Sequence, residues 1–211
     1  MRRGFLGHST LRATTATAAS QPVATGARVY LRHLSPDDEE PFLALGRDSR
    51  TLHRPWTYPP ERPDQFRELL ARTRRDDCEC LLVCVHDTGA IAGVFTISQI
   101  VRASFQSAYL GYYAHEHHSR QGLMRDGLEL ILNHAFGRLG LHRLEANIRP
   151  ENVASIALVR RLGFTREGYS RRYLRIGGRW RDHERWAILA EDWRTQRRAW
   201  HAAVRARART A

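Results

Sequence analysis

The sequence of 211 residues contains no lysine, so each of its 34 basic residues is an arginine. We interpret this bias toward arginine and alanine as the compositional drift of a GC-rich genome rather than as a functional signal. The sequence also lacks any apolar run of about 18 residues, which argues against a transmembrane helix. Its amino terminus has no apolar core of the length that a secretory signal needs. These absences predict residence in the cytoplasm.

Cysteine is scarce, and the three residues Cys78, Cys80 and Cys84 lie in one short segment. With His86 they occupy one face of a predicted strand, which would spread the four side chains over about 27 Å. A structural zinc site instead gathers its ligands in a tight knuckle. We therefore predict no metal site here and expect reduced, half-buried thiols.

The net charge of +12 comes mainly from the two ends of the chain. Residues 1–26 contain three arginines and residues 194–211 contain six, with no acid in either segment. The middle has 25 arginines against 22 acids, a balance of +3. Such basic ends suit either contact with an RNA-rich partner, such as a ribosome, or simple solvation of poorly ordered tails.

We divide the chain into a disordered basic leader over 1–26, one domain over 27–193 and a basic, helical tail over 194–211. A leader rich in Ser, Thr, Ala and Arg and free of acids is typical of a transit peptide. It is equally compatible with a bacterial leader and with a misplaced start codon.

The segment from Tyr109 to Phe164 predicts a strand, a turn, an amphipathic helix, a second strand and a second helix. Gly122 stands where the turn becomes the first helix. The backbone N–H groups of residues 119–124 can converge there on one spot, and the helix amino terminus adds positive potential. Because a side chain at Gly122 would hold an anion away from the backbone, this turn is suited to a diphosphate.

The rest of the chain predicts strands and helices around this segment. One helix begins at Ser35 and Pro36, one covers 64–75, and one starts after Asn152 and ends at Gly163. Mixed helices and strands on a mostly antiparallel sheet predict an α/β (α+β) fold. Strands are expected at 28–34, 80–86, 90–100, 108–114, 141–148, 164–176 and 179–189.

The central segment resembles the acyl-CoA-binding core of the GNAT superfamily, and within it the Rim-type (RimJ-like) ribosomal-protein alanine N-acetyltransferases. The family turn reads Gln/Arg-x-x-Gly-x-Gly/Ala, and here Ser119 stands first, Gly122 fourth and Met124 sixth. Only the glycine matches strictly, although methionine in the sixth place is common in the Rim branch. Three further strings extend the similarity over about residues 28–192: VRASFQSAYLGY, PENVASIALVRRLGF and EGYSRRYLRIGGRWRDHE.

The resemblance implies the GNAT fold, a mixed and mostly antiparallel twisted sheet of six to seven strands with splayed fourth and fifth strands and about four flanking helices. It implies acetyl-CoA as the cosubstrate, with the pantetheine arm in the splayed gap and bonded to the backbone near Tyr113 and Ala114. It implies no metal. The residues implied to bind the cosubstrate are Tyr113, Ala114, Ser119, Arg120, Gln121, Gly122, Leu123, Met124, Asn152 and Ser155.

Amine acetylation needs a neutral nucleophile and a proton for the leaving thiolate. In similar enzymes the asparagine of the Asn-x-x-Ser element contacts pantetheine and the serine lies near the CoA sulfur. These positions are Asn152 and Ser155 here, so Ser155 is the candidate acid, directly or through water. The alternative is that Asn152 only caps a helix and Ser155 lies in its first turn.

Glu145 and Asn147 alternate with apolar residues and share one face of their strand. Glu145 is the candidate base, acting through water, and the alternative is an ion pair with Arg143. A glutamate base of one relative corresponds to Asn147, so we include this residue among the catalytic candidates. The catalytic tyrosine of that relative and the glutamate of another correspond to Val159 and Leu174, and the chain departs from both arrangements.

Three residues are candidates for binding the acceptor. Trp56 lies in a proline-rich loop that resembles a Rim segment, and Tyr173 and Asp182 lie in the predicted last hairpin. Trp56 is equally suited to packing against the core. The run His115-Glu116-His117-His118 precedes the phosphate turn, and we interpret it as exposed histidines rather than a metal site.

The resemblance implies direct transfer of acetyl from acetyl-CoA to an amine in a ternary complex. The implied acceptor is the N-terminal α-amino group of a protein, such as a small-subunit ribosomal protein. Two alternatives stay open: acetylation of a small-molecule amine such as an antibiotic or polyamine, and a non-catalytic CoA- or ribosome-binding module. An acidic acceptor cleft would favour a polyamine, and a narrow aromatic slot would favour protein ends.

Overall fold

A computed structural model of the protein describes residues 21–209, which form one eight-stranded sheet flanked by helices. The strands are β1 Ala24–Thr25, β2 Val29–His33, β3 Cys78–Val85, β4 Ile91–Val101, β5 Ser107–Ala114, β6 Arg143–Ile148, β7 Thr165–Ile176 and β8 Arg179–Leu189. Their order across the sheet is β1-β2-β3-β4-β5-β6-β8-β7. Neighbouring strands are antiparallel except β5 and β6, which run parallel.

The described residues contain six α-helices. They are α1 Glu39–Asp48, α2 Arg50–His53, α3 Pro63–Arg72, α4 Leu123–Asn133, α5 Val153–Arg161 and α6 Ala190–Arg209. Short 3-10 turns cover Pro36–Asp38 and Glu116–His118, and a π-helical turn over His134–Arg138 continues α4. No helix within residues 21–209 combines the length and apolarity that crossing a membrane requires.

The predicted fold class is confirmed, but the sheet has one strand more than expected. The extra strand is β1, whose two residues pair with Tyr30 and Leu31. Two residues are too few to show an alternating pattern in the sequence. The predicted fourth and fifth strands are therefore β5 and β6.

The amino-terminal leader differs in part from its prediction. Disorder was expected over 1–26, yet Ala24–Thr25 are paired in the sheet and the Val23 N–H donates to the Leu31 carbonyl at 2.7 Å. The remaining residues 1–20 of the expected leader lie outside the described residues. The sheet therefore begins before the boundary drawn from composition.

The splay of the sheet lies between β5 and β6, as the family resemblance implies. Their pairing covers only Ser107 with Arg143, Ala108 with Leu144 and Tyr109 with Glu145. Beyond these pairs β5 stays bonded to β4, and β6 stays bonded to β8. The two strands thus leave a V-shaped gap, each with one unpaired edge.

Both faces of the sheet carry a buried core. On one face, α4 packs over β3, including Leu81 and Val83, and α5 packs over β6. On the other face, α1 and α3 pack over alternate β3 residues, including Leu82. The three cysteines are free; Cys80 and Cys84 pack in this second core, and all three are fully buried rather than half-buried.

Helix α4 approaches the sheet closely at one glycine. A Cβ on Gly127 would lie 2.8 Å from a methyl of Val83 and 3.2 Å from the Phe95 ring. Both neighbours are fully buried, and a β-branched valine has no alternative rotamer that opens space easily. The missing side chain therefore sets the distance between the helix and the sheet, and with it the position of the phosphate turn at the start of α4.

We predict that Gly127→Ala destabilises the protein by about 1–2 kcal/mol, because overpacking outweighs the usual helical gain of alanine. The matched control is Gly137→Ala in the following turn, where a Cβ meets no atom within 4 Å. That control should be neutral or stabilising by up to about 1 kcal/mol. Chemical denaturation of both variants measures the difference. Equal stabilities would show that α4 does not pack as described.

Candidate active site

The turn before α4 has the backbone geometry of an anion site. Gly122 caps the helix in the left-handed conformation, with φ 79° and ψ 0°, and Arg120 is also left-handed at φ 59°. Alternating left-handed and right-handed residues make successive N–H groups converge on one concave spot. No side chain caps this helix end, so its first N–H groups are left for a ligand.

Arg28 fixes this turn from the start of β2. Its Nε donates to the Asp126 carboxylate at 2.7 Å, and its Nη1 donates to the Gln121 carbonyl at 3.0 Å. The hydrogen bond with Asp126 raises the pKa of the guanidinium. A Cβ on Gly122 would meet only this guanidinium, at 3.1 Å. Sequence reasoning missed Arg28, because its partners lie more than 90 residues away and leave no local pattern.

A cleft of about 640 Å³ opens in front of the turn. Arg120, Arg125 and Arg161 supply positive charge along it, and Arg125 also stacks on the ring of Trp200 at 5.5 Å. Diphosphates favour such a combination of main-chain donors and arginines. The cleft is lined by Leu52, His53, Trp56, Thr57, Tyr112, Tyr113, Ala114, His118, Ser119, Arg120, Gly122, Leu123, Met124, Arg125, Asn152, Ala154, Ser155, Ala157, Leu158 and Arg161.

The free edge of β5 forms the floor of the gap. Because the His115 N–H donates to the Ala92 carbonyl, the main chain of every second residue, including Tyr113, bonds to β4. The main chains of Tyr112 and Ala114 face the gap instead. The Tyr113 main chain, which was predicted to pair with pantetheine, is thus already bonded to β4, whereas those of Tyr112 and Ala114 are directed toward the gap. Pairing of this edge with pantetheine stays a prediction.

His53 already occupies one of these edge groups. Its Nε2 donates to the Ala114 carbonyl at 2.7 Å, and its ring packs edge-on against Tyr113 at 5.2 Å. Burial lowers the pKa of His53, so the ring is neutral at neutral pH. The side chain is only 3% exposed, which fixes the end of α2 against the mouth of the gap.

The amino terminus of α5 forms the opposite wall of the cleft. The Asn152 side chain caps this helix and accepts the Ser155 N–H at 3.2 Å. Asn152 and Ser155 both line the cleft, so the cap leaves both residues beside the space predicted for the cosubstrate, and contact with it stays a prediction. The Tyr112 hydroxyl donates to the Ser155 carbonyl at 3.3 Å. Burial raises the pKa of Tyr112, which keeps this phenol protonated beside Ser155.

Glu145 and Asn147 share one face of β6, as their alternation predicts. The alternative considered for Glu145 is present, since its carboxylate accepts from Arg143 at 2.9 Å. Arg143 also bonds Glu167 on β7. The Oδ1 atom of Asn147 is buried and has no hydrogen-bond partner among residues 21–209. Neither side chain lines the cleft in front of the phosphate turn.

The Trp56 loop lies in contact with the β7–β8 hairpin, and we call the aromatic surface that these two elements carry the acceptor slot. Its residues are Trp56, Tyr58, Arg149, Tyr173 and Gly177. The Arg149 guanidinium stacks over the Trp56 ring at 5.0 Å and donates to the Pro55 carbonyl at 3.2 Å. A Cβ on Gly177 would lie 2.5 Å from the Tyr58 hydroxyl, so the loop and the hairpin turn are in contact.

Asp182 has a bonding role within the hairpin. Its carboxylate accepts from the Tyr169 hydroxyl at 2.5 Å and from the Arg172 N–H at 2.7 Å. These hydrogen bonds lower the pKa of Asp182. Arg172 is left-handed at φ 47°, so the carboxylate supports an irregular bend of β7. Substrate binding by Asp182 stays a prediction, since both its oxygens already have partners.

The histidine run beside the turn forms a ring cluster. The His115 ring lies 4.9 Å from that of His117 and 5.6 Å from that of His118. A search of the described residues finds no group of three or more His, Cys, Asp or Glu that could hold a metal ion. His118 and Ser119 reach the cleft, and Gln121 instead donates to the His117 carbonyl at 3.0 Å.

The structure thus brings most predicted cosubstrate residues to one cleft. Of the acceptor candidates, Trp56 lines this same cleft, whereas Tyr173 and Asp182 do not. Main-chain donors and arginines fit a diphosphate, and the free edge of β5 fits an amide-containing arm. Such a cleft beside a splayed sheet defines an acyl-CoA-dependent acyltransferase.

Comparison with known proteins identifies the family. Residues 28–165 match the family model described as the acetyltransferase (GNAT) domain, and the chain belongs to this family. It is an N-acetyltransferase that uses acetyl-CoA as its cosubstrate. The predicted superfamily, enzyme class and cosubstrate are confirmed.

Individual relatives agree with this assignment. The chain is 29% identical over 175 residues to the Bacillus subtilis protein named "Probable N-acetyltransferase YjcK", covering 79% of this chain and 97% of the relative. It is 40% identical over 107 residues to the [ribosomal protein uS5]-alanine N-acetyltransferase of Escherichia coli, covering 51% of this chain and 55% of the relative. Mycobacterium smegmatis RimJ in complex with CoA-disulfide superposes with TM-score 0.70 and 29% identity, covering 77% of this chain and 82% of RimJ.

We predict that Gly122→Ala weakens acetyl-CoA binding by about tenfold or more, because its Cβ intrudes where the anion meets the backbone. Gly178→Ala is the matched control, since Gly178 is also left-handed, at φ 77°, but faces open space. Both variants should lose similar stability, about 1 kcal/mol. Calorimetric titration with acetyl-CoA separates them. Equal affinities in the two variants would show that the diphosphate binds elsewhere.

Proposed function

We propose that the enzyme acetylates the N-terminal α-amino group of a protein, with a ribosomal protein as the acceptor. The observation that carries this proposal is the aromatic character of the acceptor slot, in which Arg149 stacks on Trp56. Trp56 and Tyr58 lie in the loop, Tyr173 lies on β7 of the hairpin, and Tyr58 contacts Gly177 at the hairpin turn. An aromatic surface of this kind suits the backbone and apolar side chains of a peptide end.

The charges near the slot argue against a polyamine acceptor. The nearby carboxylates are already paired: Glu145 with Arg143 at 2.9 Å, and Glu151 with Arg149 at 3.2 Å. On the far side of the loop, Glu61 is paired with Arg50 at 2.5 Å. A polycation would have to displace these arginines to find a partner, at a cost in electrostatic free energy. The N-terminus of a peptide carries one positive charge, which it loses when the α-amine deprotonates before the reaction.

An α-amino acceptor needs a weaker catalytic base than a lysine side chain does. Its pKa is about 7.7–8.0, against about 10.4 for a lysine side chain. A sizeable neutral fraction therefore exists at neutral pH without a strong base. Ser155 at the start of α5 is the proposed donor to the leaving thiolate, directly or through water.

Transfer is direct rather than through a cysteine. Burial raises the pKa of the Cys80 thiol to about 12 and also raises the pKa values of Cys78 and Cys84. All three lie on β3 and none lines the cleft. A thiol that is buried and protonated is a poor nucleophile, so the amine attacks the thioester in a ternary complex.

Similarity to the uS5-alanine N-acetyltransferase supports a ribosomal acceptor. The alignment covers about half of each chain, so the acceptor stays part of the proposal. Contact of the arginine-rich tails with ribosomal RNA would add affinity through the phosphate backbone. Residence in the cytoplasm, where ribosomal proteins are made, is part of the same proposal.

We expect the purified enzyme to release CoA thiol and to acetylate a peptide that begins with alanine, at a kcat/KM at least about tenfold above that for spermidine. Mass spectrometry locates the acetyl group on the α-amine, and an N-terminally blocked peptide is the control.

Preference for spermidine or an aminoglycoside would favour the small-molecule alternative. Acetyl-CoA binding with no transfer to any amine would favour a binding module. Intact-mass analysis of ribosomal proteins with and without the gene identifies the acceptor.

We predict that Ser155→Ala lowers kcat about 10- to 100-fold and leaves the Kd for acetyl-CoA within about twofold, because the hydroxyl acts on the leaving group. Ser98→Ala on β4, outside the cleft, is the matched control and should keep full turnover. Steady-state kinetics with the preferred amine measure both. Full turnover of Ser155→Ala would remove the serine from the mechanism without affecting the fold or the cosubstrate site.

A further inference from the structure

A buried histidine lies on the acceptor face of the sheet. His183 of β8 pairs with Ser170 and is only 3% exposed. Two residues along the strand, Arg185 pairs with Asn147 of β6, so the side chains of His183 and Asn147 share the same face. The His183 ring packs edge-on against that of Tyr173 at 6.1 Å, which places it beside the acceptor slot.

The hydrogen bonds of His183 determine where its proton lies. Its Nδ1 is 3.0 Å from the Arg181 carbonyl, and a carbonyl can only accept. In the neutral ring the proton is therefore on Nδ1, and Nε2 carries a lone pair. Nε2 has no hydrogen-bond partner within residues 21–209 and is not sealed from solvent. The ring thus presents an unused proton acceptor.

The charges around His183 keep the ring neutral at neutral pH. Burial lowers its pKa most, and the Arg149 guanidinium lowers it further. The Arg181 carbonyl and the Asp182 and Glu151 carboxylates oppose this effect, and Tyr173 adds a ring without charge. The pKa stays below its usual value of about 6.5. His183 is therefore a ready base wherever the enzyme is near neutral pH.

The other candidate base on this face is already engaged. The Glu145 carboxylate accepts a hydrogen bond from Arg143 at 2.9 Å, so one of its oxygens already has a partner. Asn147 offers an amide oxygen, which can orient an amine but cannot take its proton. Among the described residues of this face, His183 best combines a free lone pair with a neutral state.

The geometry points to His183 as the general base of the reaction. As the amine nitrogen forms its bond to the thioester carbon, the C–S bond breaks and sulfur leaves with the electron pair. The proton that the nitrogen releases passes to His183 Nε2, directly or through one water, and the thiolate is protonated from the Ser155 side. This inference deepens the proposed function, but it applies to whichever amine the enzyme accepts.

The decisive variant is His183→Asn, because the asparagine amide can still donate to the Arg181 carbonyl while the Nε2 acceptor is removed. We expect kcat/KM for the acceptor to fall about 100-fold at pH 7, with the affinity for acetyl-CoA unchanged. The exposed His86→Gln, at the distant β3–β4 turn, controls for the loss of a histidine. Glu145→Gln tests the competing base in the same assay.

The pH profile separates a base from a structural residue. In the wild-type enzyme, log kcat/KM plotted against pH should have a slope of about one where only the amine titrates. Below the pKa of His183, where both groups must lose a proton, the slope should approach two. His183→Asn should keep a slope of about one throughout. A wild-type profile in His183→Asn, or loss of the second step in Glu145→Gln instead, would overturn the assignment.

One further measurement does not depend on a folded variant. If His183→Asn does not fold, nitrogen NMR of the wild-type ring should show the proton on Nδ1 and a bare Nε2 at neutral pH. A proton on Nε2 would contradict the proposed role. If the wild-type enzyme acetylates a different amine and not the peptide, the peptide acceptor is wrong. The role of His183 is then tested by the same pH comparison with that other amine.

Discussion

The active site depends on the early end of the parallel pairing between β5 and β6. After Tyr109 and Glu145 each strand keeps its partner on the outer side, so neither loses its place in the sheet. What remains is a pair of inner edges whose N–H and C=O groups need partners. His53 satisfies the Ala114 carbonyl, and the rest of the edge is free for an amide-bearing ligand. Binding and strand separation are thus two consequences of one arrangement.

The two faces of the sheet divide the chemistry between them. One face carries the phosphate turn, the arginines of the cleft and the start of α5. The opposite face carries Glu145, Asn147 and His183. In the proposed reaction the thioester lies in the gap where both faces are accessible, so the nucleophile and the leaving group would be handled by different residues. Acceptor specificity could therefore change with little effect on the cosubstrate site, except at Trp56, which lines the cosubstrate cleft.

Much of this arrangement could be predicted from the sequence, wherever the information is local. Gly122 and Asn152 have their roles in turns a few residues long, and alternation along β6 places Glu145 and Asn147 on one face. Arg28, His53 and His183 could not be predicted in the same way. Their roles depend on partners distant in sequence, on burial, or on which ring nitrogen is bonded. The sequence also could not show that the Tyr112 main chain, and not that of Tyr113, is directed toward the gap. The direction of successive backbone hydrogen bonds depends on the register of the strands, which the residue types do not reveal.

The contact between Tyr58 and Gly177 ties the Trp56 loop to the turn of the hairpin, so the two elements that carry the acceptor slot would move together. A change in either element, such as a longer hairpin turn, would therefore alter both sides of the slot at once. A protein acceptor would have to reach between them with an extended end, at about 3.3 Å per residue.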